Sequence, residues 1–290
     1  MRMSDDTVIS VRGLVKSFVN NDGERVRVLD GVDLDIRRGE TLVIMGGSGC
    51  GKSTLLNCLI GEYAPDEGQI LYRTRDMELP VDIVGLRPAE LDAIRKRFGI
   101  LFQGGALFNS MTVAENVALP LREHSYVDPS IIDIVVALKL QQVHMLEHRD
   151  KMPAQLSGGQ KKRAGLARAT ALDPEILFYD EPSAGLDPVT SAAIDTLIID
   201  LSRKLHVTSV VVTHEMDSAF RIADRMVMLE KGRVLRIGTR DEFDELRRRS
   251  QSELNGHLER LIYQFLHGSP NGPLTDVHGL SEFEKLIIEG

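Results

Sequence analysis

Residues 46–53 constrain this chain more than any other stretch. Gly46, Gly47, Ser48, Gly49, Cys50, Gly51, Lys52 and Ser53 spell a glycine, four variable residues and then Gly-Lys-Ser. Before them, Thr41, Leu42, Val43, Ile44 and Met45 make a short apolar run that reads as a buried strand. After them, Thr54 to Ile60 read as a helix. A strand, a glycine loop and a helix in that order turn a text match into a phosphate site. The glycines let backbone N–H groups point inward around an anion, and the helix N-terminus adds partial positive charge at the same point. Lys52 would reach the β- and γ-phosphates, and the Ser53 hydroxyl would hold Mg²⁺. The plainer reading, a glycine-rich turn with a chance lysine, weakens as the companions of this loop appear further along.

At 290 residues the chain can form one large domain or two, and it can bury a full core. Its formal net charge of −8 argues against a general nucleic-acid binder, which carries a basic face. The two cysteines, Cys50 and Cys58, lie about two helical turns apart, too far for a disulfide, and point to a reducing compartment. No apolar core follows Met1 to Asp6, so no signal peptide is expected. No apolar run approaches the roughly 20 residues of a membrane helix. The expectation is a cytoplasmic chain that meets a membrane only through another protein.

Ahead of the loop, Val8 to Leu14 alternate like a strand, and Val26 to Leu29 and Val32 to Ile36 read as two more. Phe18 stacks on a base or is half buried in that antiparallel sheet, and both readings stand. Beyond the first helix, Gln69 to Tyr72 read as a strand, residues 73–88 as a loop with a short extra strand, and Pro88 to Arg95 as a helix. Phe98 to Phe102 is another strand ending at Gln103, a residue type able to serve as a neutral Mg²⁺ ligand. From about residue 104 to 154 the pattern turns helical. Thr112 with Glu115 makes a capping box, and the apolar positions from Ile131 to Leu140 follow helical spacing. His144, Glu147 and His148 match a zinc-protease pattern, but without a third ligand in a matching context they read as a solvated helix end.

Leu156, Ser157, Gly158, Gly159 and Gln160 open a second helix built to receive an anion, with Ser157 as N-cap. The basic run Lys161, Lys162 and Arg163 reads as a solvated face. Ile176 to Tyr179 is an apolar strand ending in Asp180 and Glu181. There Asp180 can hold Mg²⁺ and Glu181 can polarise an attacking water. Val207 to Val212 is a buried strand that leaves His214 at its end, on the edge where open α/β sheets bind ligands. His214 could donate to the γ-phosphate or orient the water with Glu181. Met226 to Leu229 and Val234 to Gly238 form a hairpin turning at Lys231 and Gly232. An amphipathic tail with Phe243, Leu246, Leu254, Leu258, Leu261, Ile262 and Phe265 breaks near Asn255 and Gly256, and from Gly268 the end reads as loop.

This set of motifs, in this order from Val8 to about Gly238, resembles the ATP-binding subunit of an ABC transporter. Residues 46–53 match its Walker A loop, with Thr54 beside it, and Gln103 matches the Q-loop. Residues 156–160 match an unaltered LSGGQ signature, and residues 176–181 match Walker B with its glutamate. Asp187 falls in the D-loop and His214 is at the switch position. Phe18 falls where the family stacks a base, though tyrosine is commoner there. The resemblance implies an α/β P-loop NTPase fold with a RecA-like core. An N-terminal antiparallel β subdomain and a helical subdomain, at about residues 104–165 between Q-loop and signature, belong to it. The nucleotide-binding domain would span residues 1–240, with a tail at 241–290.

It further implies ATP hydrolysis with Mg²⁺ held by Ser53, Gln103 and Asp180, and with Glu181, His214 and Lys52 as catalytic residues. A homodimer would carry two sites, each ATP lying between Lys52 of one copy and Ser157, Gly158, Gly159 and Gln160 of the other. The partners implied are integral-membrane permease subunits on the cytoplasmic face of the inner membrane, with no nucleic acid. Residues 101–124, 181–191 and the tail around 264–268 and 271–273 are similar to ATPases of the Mce-type lipid transporters, the Mla group. That likeness brings Mce-domain and small regulatory subunits as further partners. The alternative within transporters is a small-solute, amino-acid-like importer. A chromosome ATPase would carry a long coiled coil between Gln103 and the signature, a translation-factor ATPase would carry two copies of the motifs, and a pure binding module would not need both Asp180 and Glu181.

Overall fold

A computed structural model describes residues 3–269 and 273–276. Its organising element is β3 in Thr41–Met45, every residue of which is buried. Side chains alternate across a strand, so β3 feeds two cores at once. Leu42 and Ile44 face one apolar cluster, while Val43 and Met45 face another. A strand buried on both faces has no polar positions to alternate, which is why it reads as a continuous apolar run.

Before it come β1 in Thr7–Val19 and β2 in Arg25–Arg37; after it come α1 in Lys52–Leu59, β4 in Glu67–Tyr72, β5 in Val81–Asp82, α2 in Pro88–Arg95 and β6 in Phe98–Leu101. The helical insert holds α3 in Val113–His124, α4 in Pro129–Gln142 and α5 in Gly158–Ala169. The chain returns through β7 in Ile176–Asp180, α6 in Pro188–Leu205, β8 in Thr208–Val212, α7 in Met216–Ile222, β9 in Arg225–Glu230 and β10 in Arg233–Thr239. Three helices follow: α8 in Arg240–Arg248, α9 in Gly256–His267 and the single turn α10 in Pro273–Asp276.

Two sheets result. A four-stranded antiparallel sheet has the order β2-β1-β4-β5, and a six-stranded sheet has the order β10-β9-β3-β8-β7-β6. In the second, β9, β3, β8, β7 and β6 run parallel and only β10 is antiparallel. The parallel strands deliver the phosphate loop, Gln103, Asp180 and His214 to the same edge. The cluster between the two sheets holds α1, and the opposite cluster holds the insert and the C-terminal helices. The fold is the α/β P-loop arrangement that the motif order implies.

Several local expectations change. The two strands expected at 26–29 and 32–36 are one, β2, which passes through Asp30 and Gly31 without turning. The register with β1 shifts between Val11 and Leu14 and between Leu14 and Val15. Such bulges absorb an extra residue while the ladder continues. The 73–88 loop carries the expected short strand, β5, and is held at its base by Glu175. That carboxylate accepts from the Arg38 side chain at 3.2 Å and from the Arg75 backbone N–H at 2.9 Å. The tail is a helical hairpin whose Phe243, Leu246, Leu254, Ile262 and Leu266 join the larger core, whereas Leu258 is exposed. Pro273 begins a helical turn instead of a loop. Asn271 and Gly272, part of the tail similarity, lie outside the described residues. Among the described residues no helix is long and apolar enough to cross a membrane.

Candidate functional site

At two positions, Gly46 and Gly51, the phosphate loop has no room for a Cβ. Gly46 has φ 153°, and a Cβ there would lie 2.2 Å from the Leu229 carbonyl oxygen. Gly51, the N-cap of α1, has φ 108°, and its Cβ would lie 2.9 Å from the Val28 carbonyl oxygen. The loop is thus wedged between the ends of β9 and β2, in backbone conformations that L side chains rarely adopt. Lys52 is buried at the start of α1, and its Nζ donates to the carbonyls of Gly46 at 2.8 Å and Gly47 at 3.0 Å. The ammonium therefore sits inside the curl of the loop. Cys50 is buried behind it, where burial pushes the thiol pKa up, and Cys58 is pushed up to about 11 by the same cause. Both thiols are kept protonated and inert.

Gly47, Ser48, Gly49, Lys52 and Ser53 line a cavity of about 890 Å³ together with Gln103, Asp180, Glu181 and His214. Four segments far apart in sequence meet there because the parallel strands end there. Ser53, Gln103 and Asp180 offer a hydroxyl, an amide and a carboxylate, the hard neutral and anionic donors suited to Mg²⁺ shared with phosphate oxygens. Burial raises the Asp180 pKa, the neighbouring Glu181 charge raises it further, and Lys162 and Lys52 oppose both. No group of three or more His, Cys, Asp or Glu side chains among the described residues could hold a metal by itself. His144 and His148 in particular make no such group.

Glu181 stands one residue beyond β7 with φ 47°, in the left-handed region. Its backbone N–H donates to Val212 at 2.9 Å, extending the β7–β8 ladder by one bond. Its side chain is mostly covered, and Oε1 lies 2.8 Å from His214 Nδ1. A carboxylate can only accept, so Nδ1 carries the proton in this contact. Glu181 and His214 form a pair at the cavity wall, a contact that their separation in sequence does not reveal.

The signature residues lie elsewhere. Ser157 is the N-cap of α5 and accepts from the Gln160 backbone N–H at 3.3 Å, while Gln160 Oε1 accepts from the Ser157 N–H at 2.9 Å, a closed capping box. None of Ser157, Gly158, Gly159 and Gln160 lines the phosphate cavity of its own chain. Gly46, Cys50, Gly51 and Thr54 form the loop and helix start without lining it. Asp187 caps α6, accepting from Val189 and Thr190 at 3.0 Å each. Phe18 is exposed near the end of β1, edge-on to Tyr63 with centroids 5.4 Å apart, and does not line the cavity.

Three features escaped the sequence. Lys162, read as part of a solvated face, is buried and donates to the Glu181 carbonyl at 2.9 Å; Arg163 reaches the Val143 carbonyl at 3.2 Å. The run is basic, yet a helix turns its successive residues about 100° apart, so one of three faces inward. Burial lowers the Lys162 pKa, against the pull of Asp180, Glu181 and Glu215. His148, read as part of a solvated helix end, is half-buried in a 3₁₀ turn, with Nε2 2.9 Å from Gln160 Nε2. The third is the C-terminal hairpin. Arg247 of α8, His267 of α9 and the following Gly268 and Leu274 line the phosphate cavity.

Glycines also bring α5 onto β6. A Cβ at Gly99 would lie 1.9 Å from the Ala169 carbonyl oxygen, and one at Gly165 would lie 2.9 Å from Leu101 Cδ1 and 3.0 Å from the Gly105 carbonyl oxygen. Helix and strand touch backbone to backbone at Gly99, and the strand leads directly to Gln103.

Comparison with known proteins bears on the same site. The sequence profile of the ABC transporter family matches residues 29–184. The chain is similar to the intermembrane phospholipid transport system ATP-binding protein MlaF of Haemophilus influenzae, 36% identical over 275 residues, covering 95% of this chain and 97% of that one. It is also similar to the probable ribonucleotide transport ATP-binding protein mkl of Mycobacterium leprae, 41% identical over 281 residues, covering 97% of this chain and 74% of that one. Among solved structures it resembles the ATP-binding cassette MJ0796, seen as a dimer in a post-hydrolysis state with ADP and Pi. The TM-score is 0.71 at 31% identity, covering 80% of this chain and 98% of that one.

Proposed function

This chain belongs to the ABC transporter family as an ATP-hydrolysing subunit, and from that premise we propose that it drives a membrane permease that moves phospholipid, as in Mla/Mce-type systems. The observation that carries the chemistry is the single cavity into which Lys52, Ser53, Gln103, Asp180, Glu181 and His214 all open. Support for the cargo comes from the likeness to MlaF, which runs nearly the full length of both chains. The name of the mkl relative carries a different cargo, and the amino-acid-like importer is the other reading. An ATPase subunit does not touch cargo, so the permease decides.

In this reading the loop N–H groups, Lys52 and the start of α1 bind the β- and γ-phosphates. Ser53, Gln103 and Asp180 hold Mg²⁺, which neutralises charge on the phosphate oxygens when bound. Glu181 accepts a proton from the attacking water, and His214 orients that carboxylate through the 2.8 Å contact. Phe18 supplies a platform for the base. Each site is completed by Ser157, Gly158, Gly159 and Gln160 of a second copy, whose helix start attracts the γ-phosphate, with Asp187 at the same interface. Loss of that phosphate weakens the attraction and the two copies separate. Residues 1–240 act as the nucleotide-binding domain, with the helical subdomain at about 104–165 meeting the permease, and 241–290 as an appended element. The assembly sits peripherally on the cytoplasmic face of the inner membrane, with Mce-domain and small regulatory subunits as further partners.

The test of the ATP-clamped dimer is sedimentation of Glu181→Gln with Mg²⁺ and millimolar ATP. A dimer that dissolves when ATP is removed is expected; a monomer that binds no nucleotide overturns the reading. For cargo, the chain is joined in vesicles with the permease that co-purifies with it, and labelled phospholipid and labelled amino acid are followed in parallel. ATP-dependent movement of lipid alone is expected, and movement of the solute alone removes the lipid assignment.

A further inference from the structure

Lys162 joins both halves of this machinery within a single chain. It lies on α5, the helix whose N-cap is Ser157, about a turn and a half into it. It is only 4% exposed, and its Nζ donates to the Glu181 carbonyl at 2.9 Å. A buried ammonium costs far more than a buried methylene chain, so a lysine here needs an acceptor that an apolar residue would not supply. The acceptor belongs to a residue in an unusual state. Glu181 has φ 47°, a region that a residue with a Cβ seldom occupies unless its surroundings hold it there. Five hydrogen bonds hold it: its N–H to Val212, its carboxylate to the ring Nδ1 and the backbone N–H of His214, and its carbonyl to the Ala184 N–H at 3.3 Å and to Lys162. Those to Val212 and His214 come from strand β8 and the segment after it, and that to Ala184 from the turn after Glu181. The one to Lys162 comes from α5.

We infer that Lys162 is a positioning residue for ATP hydrolysis, pinning the Glu181 carbonyl so that the carboxylate is aimed into the cavity, and tying that aim to the helix that begins at Ser157. The inference rests on the reading of Glu181 as the group that takes the proton from water. In a two-copy arrangement the start of α5 meets the ATP held by the other copy, while Glu181 serves the ATP held by its own. Lys162 then links the occupancy of one site to the base of the other through a single hydrogen bond. It does not line the cavity; its hydrogen bond goes to Glu181, and its charge also faces Asp180.

The test is steady-state ATP hydrolysis and equilibrium ATP binding by the full-length chain in five forms: wild type, Lys162→Met, Lys162→Arg, Glu181→Gln, and Lys162→Met combined with Glu181→Gln. Lys162→Met is expected to lower kcat roughly 10- to 100-fold, the loss of one hydrogen bond from a charged donor. ATP affinity should stay within about twofold, because the phosphate loop is untouched. Lys162→Arg, which keeps a charged donor, should recover part of kcat. The double variant should turn over no slower than Glu181→Gln alone, since a residue that acts through Glu181 has nothing left to position. A merely structural lysine would lower affinity and kcat together and would add its loss to that of Glu181→Gln. Either result overturns the inference, as does wild-type kcat in Lys162→Met. If Lys162→Met does not fold, Lys162→Gln takes its place in the same comparison. Normal turnover by Glu181→Gln would instead remove the base assignment itself, so the two failures are told apart.

Discussion

The two ends of the phosphate cavity are made in opposite ways. At one end, eight consecutive residues from Gly46 to Ser53 shape an anion cradle, and the unusual backbone falls on glycines, at 153° for Gly46, 77° for Gly49 and 108° for Gly51. At the other end, Asp180 and Glu181 come from the end of β7 and His214 from the segment after β8, and the unusual backbone falls on Glu181, a residue with a side chain. The cradle is held in shape by what it lacks, the Cβ atoms that would collide with Leu229 and Val28. The reactive edge is held by what reaches it, Lys162, His214 and the Val212 carbonyl. Binding can be local because phosphate needs only N–H groups and a cation. Aiming a base needs a distant brace.

Substitutions at the two ends should fail differently. The largest effect is expected from Lys52→Ala, which should abolish ATP binding or turnover outright, as read by nucleotide binding and phosphate release. Retained ATPase activity would remove the cradle from the chemistry. Next, Glu181→Gln should keep ATP binding while slowing hydrolysis roughly 10²–10⁴-fold, the range for loss of a general base. Near-normal turnover would break the contrast between a binding end and a reactive end. Third, Gly46→Ala should cost about 3 kcal/mol of stability in denaturant unfolding, because its Cβ would sit 2.2 Å from the Leu229 carbonyl oxygen in a backbone region disfavoured for alanine. An unchanged unfolding midpoint would show that the loop can shift off β9.

The smallest expected effect has the opposite sign. The Asp180 carboxyl is pushed above its ordinary pKa mainly by burial and then by Glu181. A raised carboxyl pKa means that the ionised form is disfavoured by folding. The penalty is complete at pH values above the folded pKa and disappears as pH falls below the unfolded value, about 3.9. Asp180→Asn removes that charge, so without nucleotide or Mg²⁺ it should melt roughly 1–3 °C higher at neutral pH, with the difference closing in acid. Activity should fall in the same variant. A lower melting temperature at neutral pH would mean that Lys162 and Lys52 over-compensate the burial.

What could be read beforehand follows the same division. The glycine loop, the apolar run of β3, the capping box at Thr112 and the N-cap at Ser157 are decided within a few residues, and the folded chain keeps them all. The apolar face of the tail was legible from helical spacing, because burial of Phe243, Leu246 and Ile262 is what that spacing encodes. That the hairpin also walls the phosphate cavity with His267 and Leu274 was not, since nothing local says where a helix docks. Residues 26–29 and 32–36 read as two strands; the ladder to β1 carries one strand through Asp30 and Gly31. Lys162 and His148 were placed in solvent because charge is normally solvated. Only the packing of α5 against the end of β7, and of the 3₁₀ turn against Gln160, shows otherwise.

The glycine seam between β6 and α5 has a mechanical meaning. With Gly99 against the Ala169 backbone, and Gly165 against the Leu101 side chain and the Gly105 backbone, little space is left between strand and helix to take up play. Tightly packed interiors pass strain on instead of dissipating it. A push on residues 102–105 therefore meets α5, the helix that begins after Ser157, with little slack, as it would through a pushrod, and any substituent at Gly99 would pry the two parts open.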